Sequence, residues 1–240
     1  MEPKSFEILD GGNMNKPLKK GNLIYKDITI ASETIHQLLC HVRKKGILWV
    51  SESIGIQDGK HVFSFINGEV PDYSPQWLWN KKLLFDIALR LRQWHDATMD
   101  FEPSNAKWLL KNDEPNEVIC HSDFAPYNCV FENLQFKGLI DFDVCAPGSR
   151  LWDIAYTAYT FIPLRPDNYD MDKLNDFLKA YSLGEQKYLY SLSIVIPKIS
   201  KRLIALSNWS RKYALKNSNN EMLKHAEMYQ SHAKWALSLL

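Results

Sequence analysis

Residues 118–155, VICHSDFAPYNCVFENLQFKGLIDFDVCAPGSRLWDIA, hold the pattern around which the rest of this chain can be read. His121, Asp123 and Asn128 stand as H-x-D-x-x-x-x-N, and Asp141-Phe142-Asp143 follows after an apolar segment. Residues 129–132 and 135–140 are apolar-rich runs of strand length separated by Asn133-Leu134, which predicts a tight hairpin. A hairpin returns the chain to its start, so Asn128 at the entrance and Asp141 at the exit come together, with Asp123 beside them. Oxygen-only ligands in that number suit Mg²⁺, which keeps several waters and is usually completed by substrate phosphates. Singly, each residue has an ordinary structural use: Asp123 in an Asx-turn, Asn128 at a loop end, Asp141 as a helix cap. His121 reads as a packed, hydrogen-bonded support.

Phosphoryl transfer is mostly positioning plus charge neutralisation. One Asp accepts the proton of the attacking hydroxyl, while an Asn and a second Asp hold the metal that bridges the phosphates. The stretch resembles the active-site segment of the aminoglycoside phosphotransferase and choline kinase family, small-molecule kinases similar in fold to protein kinases. That resemblance implies an α+β, protein-kinase-like fold. Residues 1–67 would form a small β-rich nucleotide-binding lobe, and residues 68–240 a larger, mainly helical lobe carrying the catalytic loop and the acceptor site. Asp123 would be the catalytic base, and Asn128 and Asp141 the Mg²⁺ ligands. Ser122 stands where the family often has Gly and protein kinases have Arg, and Asp143 where protein kinases have the Gly of D-F-G. Neither departure touches a metal ligand. The continuation from Pro147 to Ala155 also resembles the family, which implies that Asp153 braces the catalytic loop.

Composition bounds the alternatives. The 240 residues are 45% hydrophobic and 24% charged, an ordinary globular balance with enough chain for a sizeable core. A formal net charge of +1 gives no whole-protein field that would favour nucleic acid or an anionic membrane. The first residues lack the apolar run of a signal peptide, and no stretch is apolar enough to span a membrane, which predicts a cytoplasmic protein. Cys40, Cys120, Cys129 and Cys145 show neither a C-x-x-C pair nor zinc spacing and are expected as reduced, packed thiols. A metallohydrolase built on His121-x-Asp123 is disfavoured, since only one histidine is near and zinc sites want more.

Upstream, Gly11 and Gly12 lie in a turn cluster where a backbone could approach phosphates closely, or simply turn a hairpin. Lys26 ends the strand-like segment 22–26 as the Lys of a V-A-I-K segment would, to contact the α- and β-phosphates; a solvated edge lysine is the alternative. Ser32 is the expected N-cap of a helix to about Lys45 with a stripe of Ile35, Leu38, Leu39 and Val42. On that helix Glu33 falls almost opposite the stripe and His36 at its margin, so neither is clearly aimed inward; His36 is favoured over Glu33 as the neighbour of Lys26, with neither as the alternative. Asp58-Gly59 joins a second hairpin, residues 53–57 and 60–66. By family resemblance, backbone groups near Phe65 to Asn67 would hydrogen-bond the purine. A helix over residues 83–97 should pack beneath the catalytic hairpin, with His95 as a core histidine. Beyond Ala155 the pattern is helical: residues 172–181, 185 to about 213 with a bend at Pro197, and 219–240.

These features point to Mg²⁺-dependent transfer of the γ-phosphate of ATP or GTP to a hydroxyl of a small molecule. The rival is a nucleotide-binding pseudokinase acting as a sensor or as an immunity or resistance factor. From Thr160 onward there are twelve basic residues against seven acidic, a net of +5, which disfavours a polycationic acceptor. Oligomeric state is left open.

Overall fold

The computed structural model describes residues 5–9, 16–71, 75–112 and 114–240. Gly11 and Gly12 lie outside the described residues. The chain divides into two compact units, residues 1–72 with 93–149, and residues 73–92 with 150–240. The first unit takes in the expected 1–67 segment together with the segment that carries the H-x-D-x-x-x-x-N pattern.

An antiparallel five-stranded sheet opens the first unit. Its strands are β1 (Glu7–Ile8), β2 (Leu18–Lys20), β3 (Leu23–Asp27), β4 (Ser53–Gln57) and β5 (Lys60–Ser64), in the order β1-β2-β3-β5-β4. The turn between β4 and β5 places Asp58 and Gly59 at φ of 48° and 73°, the left-handed pair that a two-residue hairpin wants. Helix α1 (Ser32–Lys44) follows β3, and its stripe Ile35, Leu38, Leu39 and Val42 is buried as expected. Ser32 corrects the sequence reading: it is the first helical residue, and its Oγ accepts from the backbone N of Thr29 at 2.9 Å instead of capping the helix.

Helix α2 (Lys81–Thr98) buries Leu84, Ile87, Ala88, Leu91, Trp94 and His95 on one face. Its C-terminal turns belong to the first unit, where Trp94 Nε1 donates to Ile119 O at 2.8 Å and its ring lies 5.5 Å from that of Phe142. Two short antiparallel pairs complete the unit: β6 (Val118–Cys120) with β9 (Ala146–Gly148), and β7 (Cys129–Glu132) with β8 (Gln135–Leu139).

The β7–β8 hairpin is the predicted one. Asn133 and Leu134 turn it with φ of 51° and 60°. Both its edges are taken. Glu69 exchanges two backbone hydrogen bonds of 2.8 Å with Phe131, and Leu139 N donates to Trp49 O at 3.0 Å while its carbonyl accepts from Ser51 N at 3.1 Å. Glycines permit both approaches: a Cβ at Gly68 would lie 2.5 Å from Phe131 O, and one at Gly138 would lie 2.8 Å from Trp49 O. A two-stranded ribbon, marginal alone, is thereby held in a larger frame.

The second unit is mainly helical: α3 (Arg150–Phe161), the pair β10 (Leu164–Arg165) and β11 (Asn168–Tyr169), α4 (Met171–Tyr181), α5 (Leu192–Asn217) and α6 (Asn220–Leu237). Asp170 and Asn219 cap α4 and α6 by accepting from Lys173 N at 2.9 Å and Met222 N at 3.1 Å. Helix α5 starts at Leu192, seven residues later than the pattern suggested, because residues 186–188 form a separate 3₁₀ turn and Ser191 is extended. Pro197 sits within its second turn. Ser207 Oγ donates to Ala226 O at 2.7 Å, linking α5 to α6. Among the described residues, no helix is long and apolar enough to cross a membrane. None of the four cysteines is in a disulfide.

Candidate active site

The hairpin brings the expected residues together. Asn128 ends a 3₁₀ turn (Pro126–Asn128) just ahead of β7, and its carbonyl accepts from Ile140 N at 2.9 Å, so the residues before β7 and after β8 are hydrogen-bonded neighbours. Asn128 is buried, and its Nδ2 donates to Asp123 O at 2.9 Å and to Asp123 Oδ2 at 2.8 Å. Both those acceptors are oxygens that can only accept, which fixes the amide orientation and leaves Oδ1 as the ligating atom of Asn128. Tyr127 Oη donates to the other oxygen of Asp123 at 2.6 Å.

Burial pushes the Asp123 carboxyl above its ordinary value, with the Tyr127 and Asn128 hydrogen bonds working against that rise and the charge of Asp141 adding to it. Burial, and then the nearby Asp123 charge, raise the Cys129 thiol well above its usual range, so it is a packed thiol and not a nucleophile.

His121 is fully buried. Its Nδ1 accepts from Asp123 N at 3.3 Å and its Nε2 faces the Ile140 carbonyl at 3.2 Å. A backbone N–H on one nitrogen and a carbonyl on the other require the neutral Nε2–H tautomer. This histidine ties the loop before Asp123 to the strand exit before Asp141, and its ring packs edge-on against Phe142 with centroids 5.1 Å apart.

Beside Asp123 and at the exit of the hairpin, two non-glycine residues are left-handed: Ser122 at φ 66° and Asp141 at φ 63°. Such conformations cost about 1–3 kcal/mol and persist where the surroundings impose them, commonly at functional sites. At Ser122 only Gly would take that φ without cost.

Lys26, on β3, reaches this loop across 115 residues of sequence. Its Nζ lies 2.7 Å from Asp141 Oδ1 and 2.5 Å from Asp143 Oδ2. Burial opposes the charge on Lys26, but the two carboxylates outweigh it and raise the lysine above its ordinary value. Burial likewise works against the charge of Asp141, yet Lys26 holds that carboxyl below its usual range. Asp143, more enclosed and beside the charge of Asp141, is raised.

The neighbour of Lys26 expected on α1 is not a direct partner. Glu33 is exposed and accepts from Gln37 at 3.1 Å, while His36 Nδ1 bonds Ser53 Oγ at 2.8 Å. Ser53 Oγ also bonds His61 Nε2 at 2.8 Å, and His61 is the cross-strand partner of Lys26. Burial, followed by the charges of His36 and Lys26, lowers His61 to about 4, so it is neutral at physiological pH. Phe65 follows β5, with its N–H donated to Asn22 O at 2.8 Å and the Lys19 ammonium 4.4 Å from its ring centroid; Asn67 is exposed. Asp153 is fully buried in the first turn of α3.

Sequence reasoning missed two participants. Tyr127 stands four residues after Asp123 inside the motif, a spacing that a 3₁₀ turn turns back on the aspartate. Asp143 was visible as the second acid of the Asp141-Phe142-Asp143 cluster, but its spacing alone does not show that it meets Lys26.

A metal fits the donor set. Asn128 Oδ1 and the partly exposed Asp141 carboxylate are hard oxygen ligands, the kind Mg²⁺ takes one or two at a time alongside water and phosphate. Among the described residues, no group of three or more His, Cys, Asp or Glu is arranged to hold a metal.

Residues 60–187 match the model of the phosphotransferase enzyme family, APH. The match spans more than half of the chain, and the protein belongs to that family. Its fold is protein-kinase-like. An ethanolamine kinase of Plasmodium vivax superposes with a TM-score of 0.72 at 14% identity, over 95% of this chain and 82% of that one. The GDP and kanamycin complex of an APH(2") protein superposes with a TM-score of 0.68 at 13% identity, over 98% and 94%. In sequence, the chain is 30% identical over 147 residues to the trifolitoxin immunity protein of Rhizobium leguminosarum bv. trifolii. That alignment takes in 58% of this chain and 55% of the relative, so the chain spans about half the length of the curated relative it matches.

Proposed function

We propose that this protein is a cytoplasmic, Mg²⁺-dependent phosphotransferase that moves the γ-phosphoryl group of ATP or GTP to a hydroxyl of a small molecule. What carries the reading is the convergence of Asp123, Asn128, Asp141 and Lys26 within one compact unit, joined by the Asn128–Asp123 and Lys26–Asp141 contacts. In this reading Asp123 takes the proton of the acceptor hydroxyl at the oxygen now held by Tyr127 or the one held by Asn128. The acceptor oxygen bonds to the γ-phosphorus, the bond from that phosphorus to the β,γ-bridging oxygen breaks, and a nucleoside diphosphate leaves. Lys26 reaches the phosphates. A bound Mg²⁺, held by Asn128 and Asp141, would supply neutralisation of the phosphate charge. Gly11 and Gly12 would cover the phosphates, and the backbone near Phe65 and Asn67 would meet the base, with residues 1–67 as nucleotide lobe and 68–240 supplying catalytic loop and acceptor recognition. The acceptor is a neutral, singly charged or anionic hydroxyl compound, not a nucleic acid or a membrane.

The second reading, a nucleotide-binding immunity factor with little turnover, is favoured by one observation, the likeness to an immunity protein. Release of ADP or GDP across a panel of acceptors separates the two. Acceptor-dependent release that is lost in Asp123→Asn supports the phosphotransferase. Tight Mg²⁺-nucleotide binding without release from any acceptor supports the second reading.

A further inference from the structure

We propose that Asp143 is the positioning residue of Lys26, so that the acid that steadies the phosphate-binding lysine comes from the Asp141-Phe142-Asp143 loop and not from helix α1. The pairing itself is geometric; that Asp141 turns from Lys26 to a cation, and what Lys26 then grips, rest on the phosphotransferase reading.

Three observations converge on Asp143. First, it holds the shortest ion pair made by Lys26, 2.5 Å against 2.7 Å for Asp141, and its side chain is 16% exposed against 44%. Second, Asp141 has another task. A carboxylate that turns to a cation gives up its share of the ammonium, and the Lys26 side chain, 12% exposed, cannot lean on water instead. Leaving an enclosed ammonium without a counter-charge is strongly unfavourable, so a second acid must stay behind. Three N–H donors let Lys26 keep Asp143 while reaching a phosphate. Third, α1 contributes no acid. Glu33 faces outward onto Gln37, and His36 is spent on Ser53, whose hydroxyl is shared with His61. That shared hydroxyl ties α1, β4 and β5 together and fixes the helix to the sheet with no part for Lys26.

The helix is thus anchored by His36, Ser53 and His61, and the lysine by Asp143. Displacing α1 would leave Lys26 in place, whereas neutralising Asp143 would loosen it.

The test uses the full chain and two measurements that need no turnover. Labelling of Lys26 by an amine-acylating reagent at fixed pH is followed by peptide mass spectrometry, and Mg²⁺-ATP and Mg²⁺-GTP binding by calorimetry. In Asp143→Asn, Lys26 labelling is expected to rise and nucleotide affinity to fall by about tenfold, the usual scale for losing outer-shell support. Asp143→Glu should restore both in part, and Glu33→Gln should change neither. Unchanged labelling in Asp143→Asn, or a rise in Glu33→Gln instead, overturns the proposal. If Asp143→Asn does not fold, the double variant Lys26→Met/Asp143→Asn decides: recovery of the fold shows that the unpaired ammonium was the fault, and failure to recover shows that Asp143 serves some other contact. Absence of turnover in every variant would count against the phosphotransferase reading while leaving the labelling result to stand.

Discussion

Asn128 donates its side-chain amide to both the backbone carbonyl and the carboxylate of Asp123, at 2.9 and 2.8 Å. One residue thereby orients the candidate base with its nitrogen and keeps its oxygen for a cation. Changing Asn128 should therefore disturb base and metal together, whereas changing Asp123 should disturb the base alone. Asp123→Asn is expected to lower turnover about 10²–10⁴-fold, the usual worth of a positioned base, and to leave Mg²⁺-nucleotide affinity within a few-fold. Steady-state kinetics beside calorimetry check this, and intact turnover would remove Asp123 from the role.

The acidic limb of activity follows from the same contacts. A base works in its ionised form, so activity is lost as pH falls through the pKa of Asp123. Because burial raises that carboxyl, the limb should lie above the ordinary aspartate value of 3.8. Tyr127 Oη steadies the ionised form by its 2.6 Å bond. Tyr127→Phe removes a donor to the anion and should move the limb further up in pH, which a kcat/KM profile of the two proteins would display. A limb that moves down, or stays, contradicts the assignment.

The β7–β8 hairpin was legible because its signals are local: two apolar runs, a two-residue turn, and polar residues at each mouth. The stripes of α1 and α2 were legible for the same reason. What escaped was long-range and cross-element. Angular reasoning on α1 could rank His36 against Glu33, but it had no means of seeing that Lys26 turns away from that helix to a loop 115 residues on. Nor could periodicity show that Glu69 and Val50 would pair with the two edges of the hairpin, since single bridges leave no alternation. The start of α5 was misplaced because Glu185 to Tyr190 satisfies a helical pattern yet is interrupted by a 3₁₀ turn and the extended Ser191.

Asp141 should prove separable from the fold. Its side chain is 44% exposed and lies in a loop, so Asp141→Ala removes a ligand without emptying the core. The Mg²⁺-dependent part of nucleotide binding is expected to vanish while thermal unfolding stays cooperative. Unchanged Mg²⁺-ATP and Mg²⁺-GTP affinities by calorimetry would show the metal to be held elsewhere.

Ser122 offers a stability test of the left-handed backbone. Ser122→Gly relieves the strain at φ 66° at the cost of a more flexible unfolded chain, so it should be tolerated or slightly stabilising. Ser122→Val adds a β-branched side chain to the same φ in a buried position and should destabilise by about 2 kcal/mol or more, a fall in Tm of roughly 4–8 °C for a chain of this size. Calorimetric melting compares them, and a Val variant as stable as the Gly variant would mean the loop relaxes freely.

The acceptor prediction rests on charge. From Thr160 onward the chain carries a net of +5, and two of its acids are already engaged: Asp170 caps α4 and pairs with Lys173, and Asp176 pairs with Lys81 at 2.7 Å. A polycationic aminoglycoside needs several uncommitted carboxylates to offset its ammonium groups, and recruiting Asp170 or Asp176 would first release a lysine. Phosphorylation of kanamycin or gentamicin is therefore expected to be poor, and a neutral or anionic hydroxyl compound to serve better. A coupled assay of diphosphate release reads the comparison. A kcat/KM for either aminoglycoside within the roughly 10⁴–10⁸ M⁻¹s⁻¹ of native enzyme–substrate pairs would show that the acids exchange partners readily and that net charge does not select the acceptor.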